Sequence, residues 1–246
     1  MQLESPATTI LRNASLFLDF DGTLVELAPT PDSVAVPDEL LSLLARLQLA
    51  LGGRVALLSG RALADIQSRV QPVSLVIGGS HGAERRLADG ELYAAPPTDG
   101  LEDAVAEFKR VEAANPGVVV ERKPTGVALH YRAAPGAGAE CVEVAERMAA
   151  VANMSVQLGK MVVELRHPEA DKGRALERFM EEPPFAGTVP ICLGDDLTDE
   201  HAFASARRLG GAGILVGPPR STAATYRLDD VAAARRWLER ACDELE

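Results

Sequence analysis

The sequence predicts an α/β protein, with a doubly wound, Rossmann-like parallel sheet interrupted by an inserted α+β domain. Two observations predict this fold. Strand-like and helix-like segments alternate near both ends of the chain, an order typical of a parallel sheet covered by helices. Between them, helices alternate with pairs of strand-like runs, as in an antiparallel unit. We therefore expect residues 1–96 and 169–246 to form the core domain and residues 97–168 to form the insertion.

The first part of the core begins with an apolar strand and continues in a βαβαβ order. The predicted strands are 15–20, 54–60 and 74–79, and the predicted helices are 37–51 and 61–70. A Pro near the start of the first helix suits its opening turn. The run 84–94 then predicts a hairpin around Ala88-Asp89-Gly90.

The insertion and the last part of the core follow in chain order. In the insertion, helices are expected at 101–114 and 137–152 and strand pairs at 117–123 with 126–132 and 154–159 with 161–166. The core then resumes with helices at 172–182, 198–208 and 229–245 and strands at 188–194 and 212–217.

Composition and charge exclude several classes of function. The chain has 246 residues, 47% of them hydrophobic and 25% charged, which suits a globular protein. A formal net charge of −11 excludes the basic footprint of a nucleic-acid binder and opposes docking on an anionic membrane. No apolar run is long enough for a membrane span, and the three dispersed cysteines predict free thiols. We expect a cytoplasmic monomer.

The stretch LFLDFDGTLVEL, residues 16–27, places Asp19 and Asp21 at the end of a strand-like run. One interpretation is a hairpin, because Asp-Gly between two apolar runs is a strong turn signal. The other is chemical, because carboxylates at i and i+2 of an extended chain point to the same side. In an open parallel sheet, that position is where ligands bind.

Three other motifs favour the chemical interpretation over the hairpin. Ser59-Gly60-Arg61 follows the second strand, Asp171-Lys172-Gly173 opens a helix, and Gly194-Asp195-Asp196-Leu197-Thr198-Asp199-Glu200 ends a later strand. In a parallel sheet these ends converge at one edge. Several carboxylates together need a cation, and a set of oxygen ligands favours a hard ion such as Mg²⁺. A lysine and a hydroxyl beside them suit a phosphoryl group.

These motifs, in this order, resemble those of the haloacid dehalogenase superfamily of phosphatases. Further motifs narrow the resemblance to the trehalose-6-phosphate phosphatase family. They are Gly79-Ser80-His81-Gly82-Ala83-Glu84, Val120-Glu121-Arg122-Lys123, His130-Tyr131-Arg132 and the run 159–166. The resemblance extends from about residue 15 to residue 240. It implies a core of the haloacid dehalogenase type, a cap domain and a phosphorylated disaccharide as substrate.

The resemblance also implies roles for the core residues. Asp19 would be the nucleophile that becomes an aspartyl phosphate, and Asp21 the general acid and base. Ser59 and Lys172 would hold the phosphoryl oxygens, with Gly60 and Arg61 beside them. Mg²⁺ would be held by Asp19, by the main-chain carbonyl of Asp21 and by Asp195, with Asp196 and Asp199 in supporting positions.

The resemblance assigns recognition of the sugar to charged residues of the insertion: Glu121, Lys123, Arg132, Lys160 and Glu164. Such groups suit a polyol, since each can engage neighbouring hydroxyls. They could instead line a solvated face of the sheet. His81 either contacts substrate or is a structural hydrogen-bonding residue, Arg61 either contacts substrate or pairs with a core acid, and His130 is expected in packing or at the surface.

Three alternative functions remain open at this point. The chain could be another sugar phosphatase of the same superfamily, acting on sucrose phosphate, mannosyl-phosphoglycerate or a hexose phosphate. It could be a phosphomutase, which returns the phosphoryl group to a sugar. It could be a module whose aspartate is phosphorylated as a signal.

Overall fold

A computed structural model describes residues 3–28, 33–96, 98–159 and 161–246. The chain divides into two compact units. The core unit comprises Met1–Tyr93 and Asp171–Glu246, and the inserted unit comprises Ala94–Ala170. The insertion thus begins at residue 94 where the sequence suggested 97, and it ends at residue 170 where the sequence suggested 168.

The elements follow one another in an alternating order. The helices are α1 Asp38–Ala50, α2 Leu63–Val70, α3 Leu101–Ala114, α4 Gly138–Ala152, α5 Lys172–Met180, α6 Asp199–Arg208 and α7 Val231–Leu245. The strands are β1 Ala14–Leu18, β2 Val55–Leu58, β3 Val76–Gly79, β4 Glu84–Arg86, β5 Leu92–Ala94, β6 Val119–Lys123, β7 Gly126–His130, β8 Ser155–Gly159, β9 Val162–Arg166, β10 Val189–Gly194, β11 Ala212–Val216 and β12 Tyr226–Leu228.

The sheet of the core unit has the strand order β12-β11-β10-β1-β2-β3-β4-β5. Neighbours from β12 to β3 are parallel, and β4 pairs with β3 antiparallel. The predicted doubly wound parallel sheet is therefore confirmed. Among the described residues, no helix is long and apolar enough to cross a bilayer.

Strand β1 shows why the sheet is covered on both faces. All five of its residues are buried. Because successive side chains of a strand point to opposite faces, Leu16 and Leu18 join a core that includes Trp237 of α7, whereas Phe17 joins Phe179 of α5. A continuous apolar run of this kind is typical of a central parallel strand.

The inserted unit has its own core and an antiparallel sheet of strand order β6-β7-β9-β8. The buried side chains of its strands pack with α3 and α4, as Leu129 and Val163 do with Phe108 and Cys141. Residues directly opposite in such a sheet share a face. Glu121 and Glu164 both lie opposite Ala128, so the face away from this core is polar.

The structure rejects the hairpin alternative for residues 16–27, and it contains one strand that the sequence did not predict. Residues 21–25 form no hairpin: the amides of Leu24 and Val25 both donate to the carbonyl of Phe20, which turns the chain tightly after β1. The short edge strand β12 was not predicted, and it pairs in parallel with β11.

Candidate active site

The carboxyl ends of three neighbouring parallel strands place the main motifs together. Asp19 follows β1, Ser59 follows β2 and Asp195 follows β10. The turn after β1 closes against the β10 loop at Gly22, whose φ is +82°. A Cβ at Gly22 would lie 2.2 Å from Oδ2 of Asp195. A glycine is required there for both its backbone conformation and this close approach.

A buried lysine joins two of the aspartates. The Nζ atom of Lys172 donates to Oδ1 of Asp19 at 2.6 Å and to Oδ1 of Asp199 at 2.7 Å. All three side chains are at least nine-tenths buried. Lys172 is the first residue of α5, and the preceding Asp171 caps that helix by accepting from the amide of Arg174. The cap holds the helix end that carries the lysine.

Burial and mutual repulsion shift the ionisation of this cluster. Burial raises the pKa of Asp19, an effect that the Lys172 ammonium opposes. Burial, followed by the charge of Asp199, raises the pKa of Asp195 to about 6. Although burial disfavours the Lys172 ammonium, Asp19 and Asp199 hold its pKa above the usual value. Carboxylates outnumber the ammonium, so the site favours an additional cation.

The residues present fit a divalent metal ion. Carboxylate oxygens of Asp19, Asp195 and Asp199 lie within 4.8 Å of one another. This all-oxygen donor set matches a hard cation. Asp199 already accepts from Lys172 and from the amides of Asp195 and Asp196, so it mainly organises the loop. The exposed Asp196 accepts from the amide of Leu197.

The side chain of Asp21 pairs with Arg61. The Nε atom of Arg61 donates to Oδ2 of Asp21 at 2.6 Å, and its second terminal nitrogen donates to Oδ1 at 2.8 Å. The remaining terminal nitrogen donates to Asp65 at 2.8 Å. Of the two placements that the sequence left open for Arg61, the structure has the one beside a core acid.

Ser59, Gly60 and His81 lie on the adjoining loops. Ser59 is buried, and its hydroxyl accepts from the amide of Arg61 at 3.2 Å. The amide of His81 donates to the carbonyl of Ser59, and its ring lies so close to Gly60 that a Cβ there would be 2.7 Å from Nε2. His81 has a φ of +56°, an uncommon conformation for a residue with a side chain.

The inserted unit holds the predicted sugar-binding residues on the polar face of its sheet. Lys123 donates to Glu164 at 2.8 Å, and Glu121 pairs with Nε2 of His130 at 2.8 Å. Arg132 is exposed just beyond β7. Lys160 lies outside the described residues.

The sequence did not predict two polar contacts, one in each unit. His130, expected in packing or at the surface, is a partner of Glu121. Arg220, in the loop between β11 and β12, contacts the β10 loop. A single arginine in a loop of ordinary composition carries no motif, so only the folded contacts identify it.

The doubly wound parallel sheet, with an acidic cluster at its strand ends, is an α/β fold that the chain shares with a haloacid dehalogenase-like hydrolase of Bacteroides thetaiotaomicron, at a TM-score of 0.66 and 16% identity. The model of the trehalose-phosphatase family matches residues 17–232. The chain belongs to this family.

Individual relatives agree with this assignment. The chain is 45% identical to a probable trehalose-phosphate phosphatase of Sinorhizobium fredii over 217 residues, covering 87% of this chain and 82% of that one. It is 40% identical to the trehalose-6-phosphate phosphatase of Escherichia coli over 225 residues, covering 91% and 84%. Its fold matches that of the C-terminal domain of a C. albicans trehalose-6-phosphate phosphatase with a TM-score of 0.83, at 22% identity and 98% coverage of each chain.

Proposed function

We propose that this protein is a Mg²⁺-dependent phosphatase that hydrolyses trehalose 6-phosphate to trehalose and phosphate through an aspartyl phosphate on Asp19. The observation that carries the proposal is the buried Asp19–Lys172–Asp199 cluster at the ends of adjacent parallel strands. The names of the relatives at 45% and 40% identity supply the substrate.

In the first step, a carboxylate oxygen of Asp19 forms a bond to phosphorus and the bond from phosphorus to the sugar oxygen breaks. Oδ1 of Asp19 accepts from Lys172, whereas Oδ2 has no hydrogen-bond partner among the described residues. One oxygen is thus held while the other is available for attack. Lys172 and the Ser59 hydroxyl stabilise the charge on the phosphoryl oxygens.

Asp21 moves the protons in both steps. It gives a proton to the departing sugar oxygen, because an alkoxide is a poor leaving group. It then takes a proton from the water that attacks phosphorus, which releases phosphate and restores the Asp19 carboxylate.

A metal ion would be held by Asp19, Asp195 and the main-chain carbonyl of Asp21, with Asp196 and Asp199 supporting the loop. When bound, the ion supplies positive charge to the phosphoryl oxygens. The choice of Mg²⁺ rests on its preference for a few carboxylates together with phosphate oxygens.

Recognition of the sugar is assigned to the polar face of the inserted unit. Lys123 and Glu164 are already paired there, and Glu121 faces the same side. Charged groups fixed by one another make suitable partners for vicinal hydroxyls, and a site built for hydroxyls rejects analogues that lack them. Arg132 and Lys160 belong to this proposal through the family resemblance.

The test is phosphate release from trehalose 6-phosphate, compared with sucrose, glucose and mannose 6-phosphates, with Mg²⁺ or with a chelator. Selective, Mg²⁺-dependent turnover of trehalose 6-phosphate that is lost in Asp19→Ala supports the proposal. Turnover of a different sugar phosphate would agree with the proposed chemistry of the core unit but would reject trehalose 6-phosphate as the substrate. Accumulation of an isomerised sugar phosphate would identify a mutase.

A further inference from the structure

Arg220 reaches the main chain of the loop that follows β10. One terminal nitrogen of Arg220 donates to the carbonyl of Asp196 at 2.9 Å and to the carbonyl of Asp195 at 3.3 Å. The other pairs with a carboxylate oxygen of Glu200. The Arg220 side chain is about three-quarters buried. One guanidinium therefore connects the β11–β12 loop with the two aspartates.

Glu200 anchors that loop from the side of α6. Its Oε2 atom accepts from the amide of Ala223 at 2.6 Å and from the hydroxyl of Thr222 at 3.1 Å. Glu200 directly follows Asp199 in the first turn of the helix. The loop bearing Arg220 is thus tied to the segment whose carbonyls Arg220 contacts.

Asp199 contacts the same segment from its opposite edge. Its Oδ2 atom accepts from the amide of Asp196 at 3.0 Å and from the amide of Asp195 at 3.1 Å. The peptide group joining Asp195 to Asp196 consequently has its N–H held by Asp199 and its C=O held by Arg220. A peptide plane bonded at both edges cannot rotate without losing a charge-assisted hydrogen bond.

We propose that Arg220 is a positioning residue for the metal site, because it fixes the peptide plane from which the Asp195 carboxylate projects. The inference rests on the proposed function, since the ion belongs to that function. Arg220 touches no reacting atom and acts through Asp195. Outer contacts that orient a ligand typically change metal affinity ten- to a hundredfold.

Arg207 provides a matched control. It donates to the carbonyl of Ala223 at 3.2 Å, so it supports the same loop from α6. Its guanidinium bonds to Ala223, whereas that of Arg220 bonds to the carbonyls of Asp195 and Asp196. Arg207→Gln removes one positive charge, as Arg220→Gln does, together with one contact to the loop. It leaves the hydrogen bonds to the carbonyls of Asp195 and Asp196 intact.

The experiment measures Mn²⁺ binding to the substrate-free full chain by electron paramagnetic resonance, together with thermal unfolding in chelator. We expect Arg220→Gln to weaken Mn²⁺ binding ten- to a hundredfold and Arg207→Gln to change it less than twofold. Both variants should unfold at similar temperatures in chelator. Arg220→Lys retains the positive charge, but an ammonium group cannot contact Glu200 and the two carbonyls at once as a planar guanidinium does. This variant should therefore also bind Mn²⁺ more weakly than the wild type.

Four outcomes would overturn the inference. Wild-type Mn²⁺ affinity in Arg220→Gln would show that the hydrogen bonds of Arg220 to the Asp195 and Asp196 carbonyls are dispensable. An equal loss of Mn²⁺ affinity in Arg207→Gln would show a general loosening of the β11–β12 loop. If Arg220→Gln does not fold, Glu200→Gln replaces it, because this variant retains a hydrogen-bond acceptor for the loop. Glu200→Gln must then weaken Mn²⁺ binding. Wild-type Mn²⁺ affinity in Glu200→Gln would reject the role of Arg220 in holding the peptide between Asp195 and Asp196. Absence of Mn²⁺ binding by the wild type would reject both this inference and the metal ion of the proposed function. Failure of the inference alone would instead show as normal Mn²⁺ binding by the wild type together with one of the first three outcomes.

Discussion

Both side-chain oxygens of Asp21 accept hydrogen bonds from the guanidinium of Arg61, at 2.6 and 2.8 Å. A planar guanidinium that contacts both oxygens fixes the orientation of the carboxylate as well as its position. Arg61 is in turn held by Asp65, which also accepts from Arg69 at 2.8 Å. The orientation of the proposed acid and base therefore depends on side chains of α2 and of the loop preceding it.

Arg61→Met is expected to lower kcat/KM for trehalose 6-phosphate by about 10²- to 10⁴-fold, the usual contribution of general acid–base catalysis. The loss should be much smaller with p-nitrophenyl phosphate, whose leaving group departs without a proton. Steady-state kinetics on the two substrates checks this. Arg69→Met is the control, because Arg69 donates to Asp65, whereas Arg61 donates to Asp21 itself. Equal losses on both substrates would contradict an effect through Asp21.

Lys172→Met is expected to destabilise the metal-free protein by about 3–5 kcal/mol, because it leaves Asp19 and Asp199 buried without their cation. Urea unfolding in chelator measures this difference. Lys109→Met, at an exposed lysine of α3, should change stability by about 0.5 kcal/mol or less. If Lys172→Met were as stable as Lys109→Met, the buried Asp19–Lys172–Asp199 cluster would not depend on the lysine for its stability.

Stability of the metal-free protein should depend on pH through Asp195. Its pKa is raised from 3.8 to about 6 by burial and by Asp199. The folded state therefore holds this proton more tightly than the unfolded state, and stability falls as pH rises from about 4 to about 6. The fall from this group is at most about 3 kcal/mol, reduced by solvent screening, and it levels off above pH 6.

Urea unfolding in chelator between pH 4 and 7.5 tests this, with Asp195→Asn as reference. The free energy of unfolding of the wild type minus that of Asp195→Asn should decrease with rising pH and then become constant. Saturating Mg²⁺ should reverse the trend, since the ion requires the deprotonated carboxylate. A difference that is independent of pH would show that Asp195 titrates normally.

The Lys123–Glu164 pair should affect substrate binding rather than the chemical step. We expect Lys123→Met and Glu164→Gln each to raise KM for trehalose 6-phosphate about tenfold or more, because each removes a proposed polar partner of the sugar. The KM for p-nitrophenyl phosphate should change little in both variants. Arg122→Met is the control, because Arg122 is on the same strand but pairs with Glu102 of α3. An unchanged KM for trehalose 6-phosphate would assign the pair to a solvated face of the sheet.

The alternation of elements predicted the core of the fold because parallel strands with crossover helices leave a strong apolar pattern. The convergence of Asp19, Ser59 and Asp195 followed from the same pattern, since parallel strands end at one edge. Strand β12 was missed because Tyr226–Leu228 is too short to show a period. Its pairing depends on the edge that β11 offers.

Side-chain pairing within the site was less predictable than its location. Whether Arg61 turns toward a substrate or toward Asp21 depends on the distance between two loops, which the sequence does not encode locally. The contact of Arg220 with the β10 loop spans 25 residues of chain. Such contacts arise from tertiary packing, whereas the DFDGT and GDDLTDE motifs are contiguous and can be identified directly.

The burial of β1 has a consequence for how activity responds to thermal fluctuation. The strand is bonded to β10 on one side and β2 on the other, and none of its side chains reaches solvent. Its amide hydrogens should therefore exchange with deuterium only through opening of the whole core unit. The proposed nucleophile, Asp19, directly follows this strand. Partial opening of surface loops should therefore leave Asp19 in place, and inactivation by heat should coincide with cooperative unfolding.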